Sequence, residues 1–284
     1  MPPRWLSVLI VAAWLCTTGW LVWSDVLPRL KPGTPPAFAV LLTEEADQRV
    51  AVRWTASRNG AKAFTVQTQV VATGAGRYEL RAEYAPYRLR GQAQPAEPVA
   101  MGPLLVKRFA STYRVNGQGD LLGLASVVEG TLAAGKVEVV ARLAGDAEGG
   151  RMAVRMTLEM LGQTQEVALP EADAPSRGVA VLMPLQPANR IEKLVPGQRW
   201  TVRLFDPLAA VGSLGAADRP PILRAAVRPE PEDLVRGTAA PETCLVIDYA
   251  GDDLEATTWV RVKDDLVVKQ AARLGNDRWE IVRE

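Results

Sequence analysis

The sequence stretches Lys136–Ala144 (KVEVVARLA) and Arg151–Met160 (RMAVRMTLEM) decide the fold class that this chain predicts. Apolar and polar side chains alternate in both, and the second stretch places a row of apolar side chains on one face: Val154, Met156, Leu158 and Met160. Because successive residues of a strand point to opposite faces, this period of two indicates half-buried strands. The link between them, GDAEGG at residues 145–150, is rich in glycine. The two stretches therefore predict an antiparallel β-hairpin.

Segments of the same kind follow one another along most of the chain after residue 36. Phe64–Val70 (FTVQTQV) shows the alternation most plainly, and turn residues such as Arg58-Asn59-Gly60 separate neighbouring segments. The further candidate strands are Ala37–Leu42, Val50–Trp54, Ala63–Val71, Tyr78–Tyr84, Thr164–Leu169, Val179–Met183, Arg199–Phe205, Ile222–Val227, Thr243–Tyr249, Thr257–Val262, Leu266–Ala271 and Trp279–Val282. Such a succession predicts a mainly β fold, with one curved antiparallel sheet or open half-barrel.

Helical patterns are scarce in this β region. Asn189–Leu194 and Pro207–Gly212 each predict a helix of one or two turns, and Asp206 precedes the second as a candidate N-cap. Segments 90–104 and 228–241 each contain several prolines and are interpreted as loops.

The amino-terminal segment Trp5–Trp23 (WLSVLIVAAWLCTTGWLVW) contains no charged residue. As an α-helix it is about 27 Å long, close to the roughly 30 Å hydrocarbon core of a bilayer. Trp5 at one end and Trp20 with Trp23 at the other match the aromatic belts of membrane interfaces. Residues 1–24 are therefore predicted to form a transmembrane signal-anchor, with residues 5–23 in contact with the membrane.

Two other interpretations of this segment stay open. A cleaved signal peptide has a basic start and an Ala-x-Ala-like cleavage site, whereas this chain offers only Arg4 and the small pair Thr17 and Gly19. A lipoprotein signal would use Cys16, but Leu15 stands where a small residue is expected. The sequence favours the uncleaved anchor.

The segment after the anchor sets the predicted domain organisation. Residues 25–36 contain four prolines, Pro28, Pro32, Pro35 and Pro36, which predict a stiff, extended spacer. Residues 37–284 then form the predicted antiparallel β domain. A very short amino terminus is simplest to retain inside the cell, which places this domain outside the cytoplasm, in the periplasm of a bacterial-type envelope. Flanking charges are nearly balanced and do not decide the orientation.

Composition excludes several functional classes. The formal net charge is +1 and no basic block is present, which argues against nucleic-acid binding. The chain has no histidine, so Ser-His-Asp catalysis, Cys-His catalysis and histidine-ligated zinc are excluded. Its cysteines are Cys16, in the apolar segment, and Cys244, which is predicted to be a small buried hydrophobe. No catalytic, cofactor-binding or metal-binding residue is assigned, and the protein is predicted not to be an enzyme.

Paired carboxylates and tryptophans are the remaining candidate features. Glu44-Glu45, Asp252-Asp253 and Asp264-Asp265 are adjacent pairs, which on a strand point to opposite faces and are interpreted as solvated loop residues. The tryptophans of the β region are predicted to pack in the core, with the alternative that some line an apolar pocket inside a curved sheet: Trp54, Trp200, Trp259 and Trp279.

Two segments together resemble a known family. Residues 194–208 (LVPGQRWTVRLFDPL) combine a Pro-Gly turn, a strand and a short helix, and residues 258–270 (TWVRVKDDLVVKQ) form a hairpin that turns at aspartate. Both are similar to periplasmic lipoprotein-carrier proteins (LolA/LolB-like) and related envelope domains. The resemblance implies a half-barrel around an apolar cavity that carries acyl chains. It assigns no ligand-binding residue, and the membrane anchor of this chain favours a tethered rather than a shuttling protein.

These observations lead to three functional hypotheses. The preferred one is a membrane-anchored, extracytoplasmic β domain that binds a lipid or another apolar ligand, or a partner, without chemistry. The second is a structural or assembly subunit whose sheet docks onto a larger membrane complex. The third is an enzyme that uses carboxylates alone, as glycosidases do.

Overall fold

The fold is taken from a computed structural model. It describes residues 13–14, 16–20, 51–74, 76–87, 99–101, 104–117, 119–132, 136–169, 171–173, 187–203, 222–235, 240–251, 254–274 and 276–284. Within this part of the chain nearly all regular structure is strand, and the strands form one sheet whose pairings are all antiparallel. The prediction of a mainly β fold with a single antiparallel sheet is confirmed.

The strands of the amino-terminal half are β1 (Val52–Arg58), β2 (Ala61–Gly74), β3 (Arg77–Pro86), β4 (Val99–Met101), β5 (Leu104–Asn116), β6 (Leu121–Leu132), β7 (Val137–Glu148), β8 (Arg151–Met160), β9 (Gln163–Ala168) and β10 (Ala172–Asp173). Those of the carboxy-terminal half are β11 (Arg199–Arg203), β12 (Ile222–Val227), β13 (Glu232–Leu234), β14 (Glu242–Ala250), β15 (Leu254–Arg261), β16 (Val267–Leu274) and β17 (Asp277–Arg283).

Each half is an up-and-down meander. The first runs β1-β2-β3-β5-β6-β7-β8-β9, with β4 and β10 as short additions along β5 and β8. The second runs β11-β12-β14-β15-β16-β17, with β13 along β14. The last strand, β17, pairs with the first, β1, so that Trp54 lies opposite Arg283 and Arg58 opposite Trp279. This pairing makes one sheet of the two meanders.

The β7–β8 hairpin exists as predicted, but its turn is shorter than the sequence indicated. β7 continues to Glu148, and the turn consists of Gly149 and Gly150, with φ of 58° and 80°. A two-residue turn with both φ values positive matches the twist of a hairpin, and glycine adopts it without steric cost. Residues 145–148, predicted as a link, therefore pair with β8, as Gly145 does with Val154.

Several sequence predictions were wrong. β5 and β6 were not predicted, and β4 and β13 lie inside segments interpreted as loops. Asn189–Leu194 is not helical, because its backbone pairs with another segment. The Ile191 N–H donates to the Asp265 carbonyl oxygen (3.0 Å), and the Val267 N–H donates to the Asn189 carbonyl oxygen (3.0 Å). These distant partners use backbone groups that a helix would need.

Other predictions fall outside the described residues: the strands Ala37–Leu42 and Val179–Met183, the helix Pro207–Gly212 and the spacer 25–36. Of the predicted membrane segment, residues 13–14 and 16–20 are described and are helical. Within the described part, no helix has the length and apolar character that a membrane crossing requires.

One face of the sheet, here called the apolar face, carries the core. Its first cluster of buried side chains includes Trp54, Phe64, Tyr84, Phe109 and Trp279, and draws on strands of both meanders. Phe64 stacks on Trp279 across β1, with ring centroids 6.2 Å apart. The second cluster belongs to the first meander and includes Val70, Tyr113, Leu124, Leu143 and Met156. Burial of each such large side chain contributes about 1.5–3 kcal/mol.

A buried polar network ties the segment between the meanders to the apolar face. The Trp54 indole N–H donates to Thr68 Oγ1 (2.9 Å), and the Thr68 hydroxyl donates to Asn189 Oδ1 (2.7 Å). Arg283 donates to the Asn189 carbonyl oxygen (3.1 Å), and its guanidinium lies over the Trp54 ring, 5.4 Å from the ring centroid. Trp54, Thr68 and Asn189 are all buried, so each bond is made away from water.

We predict that Thr68→Val lowers the free energy of unfolding by about 1–3 kcal/mol, because two buried polar groups then lose their shared partner. Urea unfolding of the full chain in mild detergent, followed by tryptophan fluorescence, measures this change. The control is Thr65→Val, on the opposite face of β2, which we expect to change stability by less than about 0.5 kcal/mol. Equal effects of the two substitutions would contradict the network.

Candidate binding face

A row of small side chains crosses the middle of the apolar face. Thr68 of β2 lies opposite Ala82 of β3, Ala82 opposite Ser111 of β5, and Ser111 opposite Ser126 of β6. We call Thr68, Ala82, Ser111 and Ser126 the hydroxyl row, since three of the four carry a hydroxyl. All four are buried, with exposed fractions of 2–5%.

Large side chains lie on both sides of the hydroxyl row. Two residues further along each strand, towards the β1–β2 turn, lie the next side chains on the same face. These are Val66, Tyr84, Phe109 and Val128, which belong to the first cluster. In the other direction they present Val70, Leu80, Tyr113 and Leu124 of the second cluster. The row therefore marks the boundary between the two clusters. Its side chains extend less far from the sheet than the aromatic side chains beside them.

Two members of the row differ in how their hydroxyls are used. Thr68 both accepts from Trp54 and donates to Asn189. Ser126 Oγ is fully buried and has no hydrogen-bond partner in the described part of the structure, as is also true of Trp200 Nε1 on β11. A buried hydroxyl without a partner costs about 1–3 kcal/mol. Among the described residues, Ser126 is thus a hydrogen-bonding group without a partner inside a buried apolar layer.

The hydroxyls of the row can form hydrogen bonds, but the described residues around them do not activate them for catalysis. A serine or threonine hydroxyl is a weak nucleophile unless a neighbouring base activates it. The chain contains no histidine, and the residues facing the row across the neighbouring strands are apolar. At the β2 end of the row, the Arg283 guanidinium donates to the Asn189 carbonyl oxygen and lies over the Trp54 ring.

The opposite face, here called the charged face, is covered by ion pairs. On β5 Arg108 lies 2.8 Å from Glu83 and 3.8 Å from Glu129, and on β7 Arg142 pairs with Glu159. A shallow depression of about 230 Å³ lies here, lined by Arg108, Ala110, Val127, Glu129 and Arg142. Both of its arginines are paired with carboxylates of neighbouring strands, so we interpret it as part of a surface charge ladder rather than as a site.

The charged face of the second meander holds a denser ionic network. Arg261 donates to both carboxylate oxygens of Asp264 (2.9 and 2.8 Å) and to Glu242 (2.5 Å). These hydrogen bonds from Arg261 lower the pKa of Asp264, whereas burial raises the pKa of the adjacent Asp265. The two neighbouring carboxylates therefore have different surroundings and different partners. The pairs Glu44-Glu45 and Asp252-Asp253 lie outside the described residues.

The tryptophans divide between the faces. Trp54, Trp200 and Trp279 are buried in the first cluster, as core packing predicted. Trp259 instead lies half-buried on the charged face, with the Lys269 ammonium 5.0 Å from its ring centroid. Cys244 is fully buried, as predicted, and its Sγ lies 3.3 Å from the Glu242 carbonyl oxygen. Among the described residues no cluster of three acidic or cysteine side chains could hold a metal ion.

Sequence reasoning did not find the hydroxyl row. Its members come from strands separated by many residues, and two of those strands, β5 and β6, were not predicted. The alternation in FTVQTQV predicts that Thr68 lies on the same side of β2 as Phe64, Val66 and Val70, and the structure confirms this. A polar residue on an otherwise apolar face was the one signal that the sequence offered.

Comparisons with known proteins return no relative. The chain matches no protein-family model, no curated protein and no solved structure. The resemblance to the lipoprotein-carrier family therefore stays a prediction, and function has to be argued from the geometry of the two faces.

We predict that Asp264→Asn destabilises the protein by about 1–2 kcal/mol at pH 7, since a charge-assisted hydrogen bond is weakened. The folded-state pKa of Asp264 lies below its ordinary value of 3.8, so its contribution is present above about pH 4 and is lost as the pH falls through the folded pKa. The difference between wild type and variant should therefore shrink below about pH 3. Urea midpoints measured at both pH values test this.

The matched control for this experiment is Glu166→Gln on the exposed strand β9. We expect it to change the urea midpoint little at either pH. An Asp264→Asn effect that is the same at pH 7 and at low pH would show that the ion pair does not stabilise the folded state.

Proposed function

We propose that this protein is a non-catalytic binding protein that holds an apolar, lipid-like ligand against the apolar face of its sheet. The observation that carries the proposal is the hydroxyl row, in which the buried Ser126 hydroxyl has no partner among the described residues and lies between two apolar clusters. Ligand pockets for small molecules are mostly apolar and contain a few polar groups that fix orientation. The apolar face has this composition.

The sheet architecture supports the same proposal. An apolar sheet face needs a covering layer, which in most domains is a second sheet or a layer of helices. The described part of this chain forms a single sheet. Because strands twist relative to one another and long open sheets curl, we propose that this sheet forms an open half-barrel whose concave side is the apolar face. A curved sheet of this kind can accommodate one small apolar ligand, as small barrels do.

The absence of histidine from the chain also favours a binding function over catalysis. Without histidine, serine or cysteine nucleophiles activated by histidine and imidazole acid–base catalysis are excluded. Asp248 and Asp264, whose pKa values are lowered, accept hydrogen bonds from Arg228 and Arg261. These two carboxylates are therefore held ionised by their arginine partners.

A ligand titration of the purified full chain tests the proposal. After detergent exchange to remove bound lipid, we expect the fluorescent fatty acid cis-parinaric acid to bind saturably with a stoichiometry of one. Ala82→Phe, which fills the centre of the hydroxyl row, should weaken binding by about tenfold or more, equivalent to about 1.4 kcal/mol. The control, Ala110→Phe on the charged face, should leave the affinity unchanged.

Overpacking at Ala82 also costs about 1–3 kcal/mol of stability, so circular dichroism and a urea midpoint must show that both variants fold. Absence of saturable binding by the wild-type chain would contradict the proposal. If the chain then co-purified with a stoichiometric membrane protein, the alternative of a structural or assembly subunit would replace it.

We further propose that Trp5–Trp23 anchors the protein in a membrane and that residues 37–284 lie outside the cytoplasm. The charge-free span and its terminal tryptophans support this proposal. A carboxy-terminal alkaline phosphatase fusion should be active in a bacterial host, and a cytosolic reporter at the same position should be inactive. The opposite pattern would overturn the extracytoplasmic location.

A further inference from the structure

We propose that the β1–β2 turn carries a modification site, at which Asn59 loses its side-chain amide by spontaneous deamidation and the new carboxylate weakens the junction between the two meanders. This site goes beyond the proposed function and does not depend on a bound ligand. Three features mark it: the Asn59-Gly60 sequence, the exposure of both residues, and the contacts of the Asn59 amide with the β16–β17 turn.

Deamidation at this turn consumes one water and releases ammonia. The Gly60 backbone nitrogen, after losing its proton to solvent, attacks the side-chain carbonyl carbon of Asn59. A new C–N bond closes a five-membered succinimide, the bond to Nδ2 breaks, and ammonia leaves with a proton taken from solvent. Water then opens the ring at either carbonyl, which leaves aspartate or isoaspartate at position 59. Glycine hinders this attack least among following residues, because it has no side chain.

The chain contains a second Asn-Gly pair, Asn116-Gly117, and the two pairs differ in exposure. Asn59 and Gly60 are exposed at the tip of a hairpin, with φ of 51° and 84°, and a Cβ at Gly60 would meet no atom within 4 Å. Asn116 and Gly117 are half-buried, and a Cβ at Gly117 would lie 3.4 Å from the Gly76 carbonyl oxygen. The side-chain rotation and ring closure that deamidation needs are therefore less hindered at Asn59.

Contacts with the β16–β17 turn control when the Asn59 amide can react. Asn59 Nδ2 donates to Asp277 Oδ1 (2.9 Å), and the Arg278 backbone N–H donates to Asn59 Oδ1 (2.9 Å). The Asn59 N–H donates in turn to the Arg278 carbonyl oxygen (2.8 Å). Because these bonds lie at the exposed tips of two hairpins, they open locally at a lower free-energy cost than the whole fold. Deamidation proceeds during those openings, so its rate reports how often the two turns separate.

The product of the reaction opposes closure of the same contact. Hydrogen bonds from Arg58 and from Asn59 lower the pKa of Asp277, so that Asp277 is ionised at neutral pH. A carboxylate at position 59 faces the Asp277 carboxylate where a hydrogen bond was, and the two like charges repel. Isoaspartate also adds a methylene to the backbone of a two-residue turn. Both products therefore loosen the turn beside the Arg58–Trp279 pair, where β1 and β17 meet.

Ageing of the purified full chain at mildly alkaline pH, followed by peptide mapping with mass spectrometry, measures the reaction at Asn59. Asp277→Ala removes the acceptor of the Asn59 amide, and we expect it to raise the deamidation rate about 5-fold, which corresponds to one lost hydrogen bond. The matched control is Arg278→Ala, which removes an ion pair with Glu280 but keeps both backbone groups that contact Asn59. We expect this control to change the rate by less than twofold.

Asn116 serves as an internal standard in the same digests. We expect it to deamidate more slowly than Asn59 in wild type, and at the same rate in wild type and in both variants. Slower reaction at Asn59 than at Asn116 would overturn the assignment of the site. A rate at Asn59 that Asp277→Ala leaves unchanged would overturn the control by the β16–β17 turn.

Asn59→Asp reproduces one product and tests its effect on the junction. We expect a lower urea midpoint than wild type at pH 7, and a smaller difference below about pH 3, where both carboxylates are protonated. The control is Asn59→Gly, which fits the positive φ and loses the amide contacts without adding a charge. Hydrogen exchange of β1 and β17 should be faster in Asn59→Asp than in Asn59→Gly, with β7 and β8 unchanged.

Equal urea midpoints and equal hydrogen exchange for Asn59→Asp and Asn59→Gly at pH 7 would overturn the effect of the new charge on the junction. The proposed ligand binding is tested separately, by the titration with cis-parinaric acid, and none of these results decides it.

Discussion

The pairing of β17 with β1 is the constraint on which the rest of this structure depends. It joins two meanders that are separate in sequence, and it places the last described strand beside the first. Trp54, Phe64 and Trp279 become neighbours through it, so the largest aromatic side chains of both halves share one cluster. The network of Trp54, Thr68 and Asn189 adds the connecting segment to the same place. Loss of this pairing would separate the core into two smaller ones.

The two faces that result have different roles. The charged face is stabilised by many cross-strand ion pairs, each of which contributes little on an exposed surface. The apolar face carries the stability of the fold, and its central row of small side chains is the exception to dense aromatic packing. Ala82, Ser111 and Ser126 are small where the neighbouring positions on the same face carry large apolar side chains, and larger residues at these buried positions would overpack the face. Their presence there is the reason for interpreting this face as a binding surface.

Local chemistry predicted much of the fold and little of the site. The β7–β8 hairpin could be predicted because the alternation of apolar and polar residues and a glycine turn both indicate it. The carboxy-terminal strands could be predicted for the same reason. β6 was missed because Ser126 and Gly130 interrupt the apolar period on its buried face. The hydroxyl row could not be predicted, since it depends on the register of four strands. β5 and β6 pair with irregularities at Val106/Arg108 and Arg114/Val115, and a one-residue slip would move Ser126 away from Ser111.

The central claim is that ligand binds to the apolar face of the single sheet. Photo-crosslinking of the full chain with a diazirine-bearing monoacylglycerol, followed by peptide mapping, tests it most directly. We expect adducts on apolar-face residues of β3, β5, β6 and β8, such as Tyr113, Leu124 and Met156, and competition by unlabelled monoolein. Adducts confined to the charged face or to residues 5–23, or labelling that unlabelled lipid does not reduce, would contradict it.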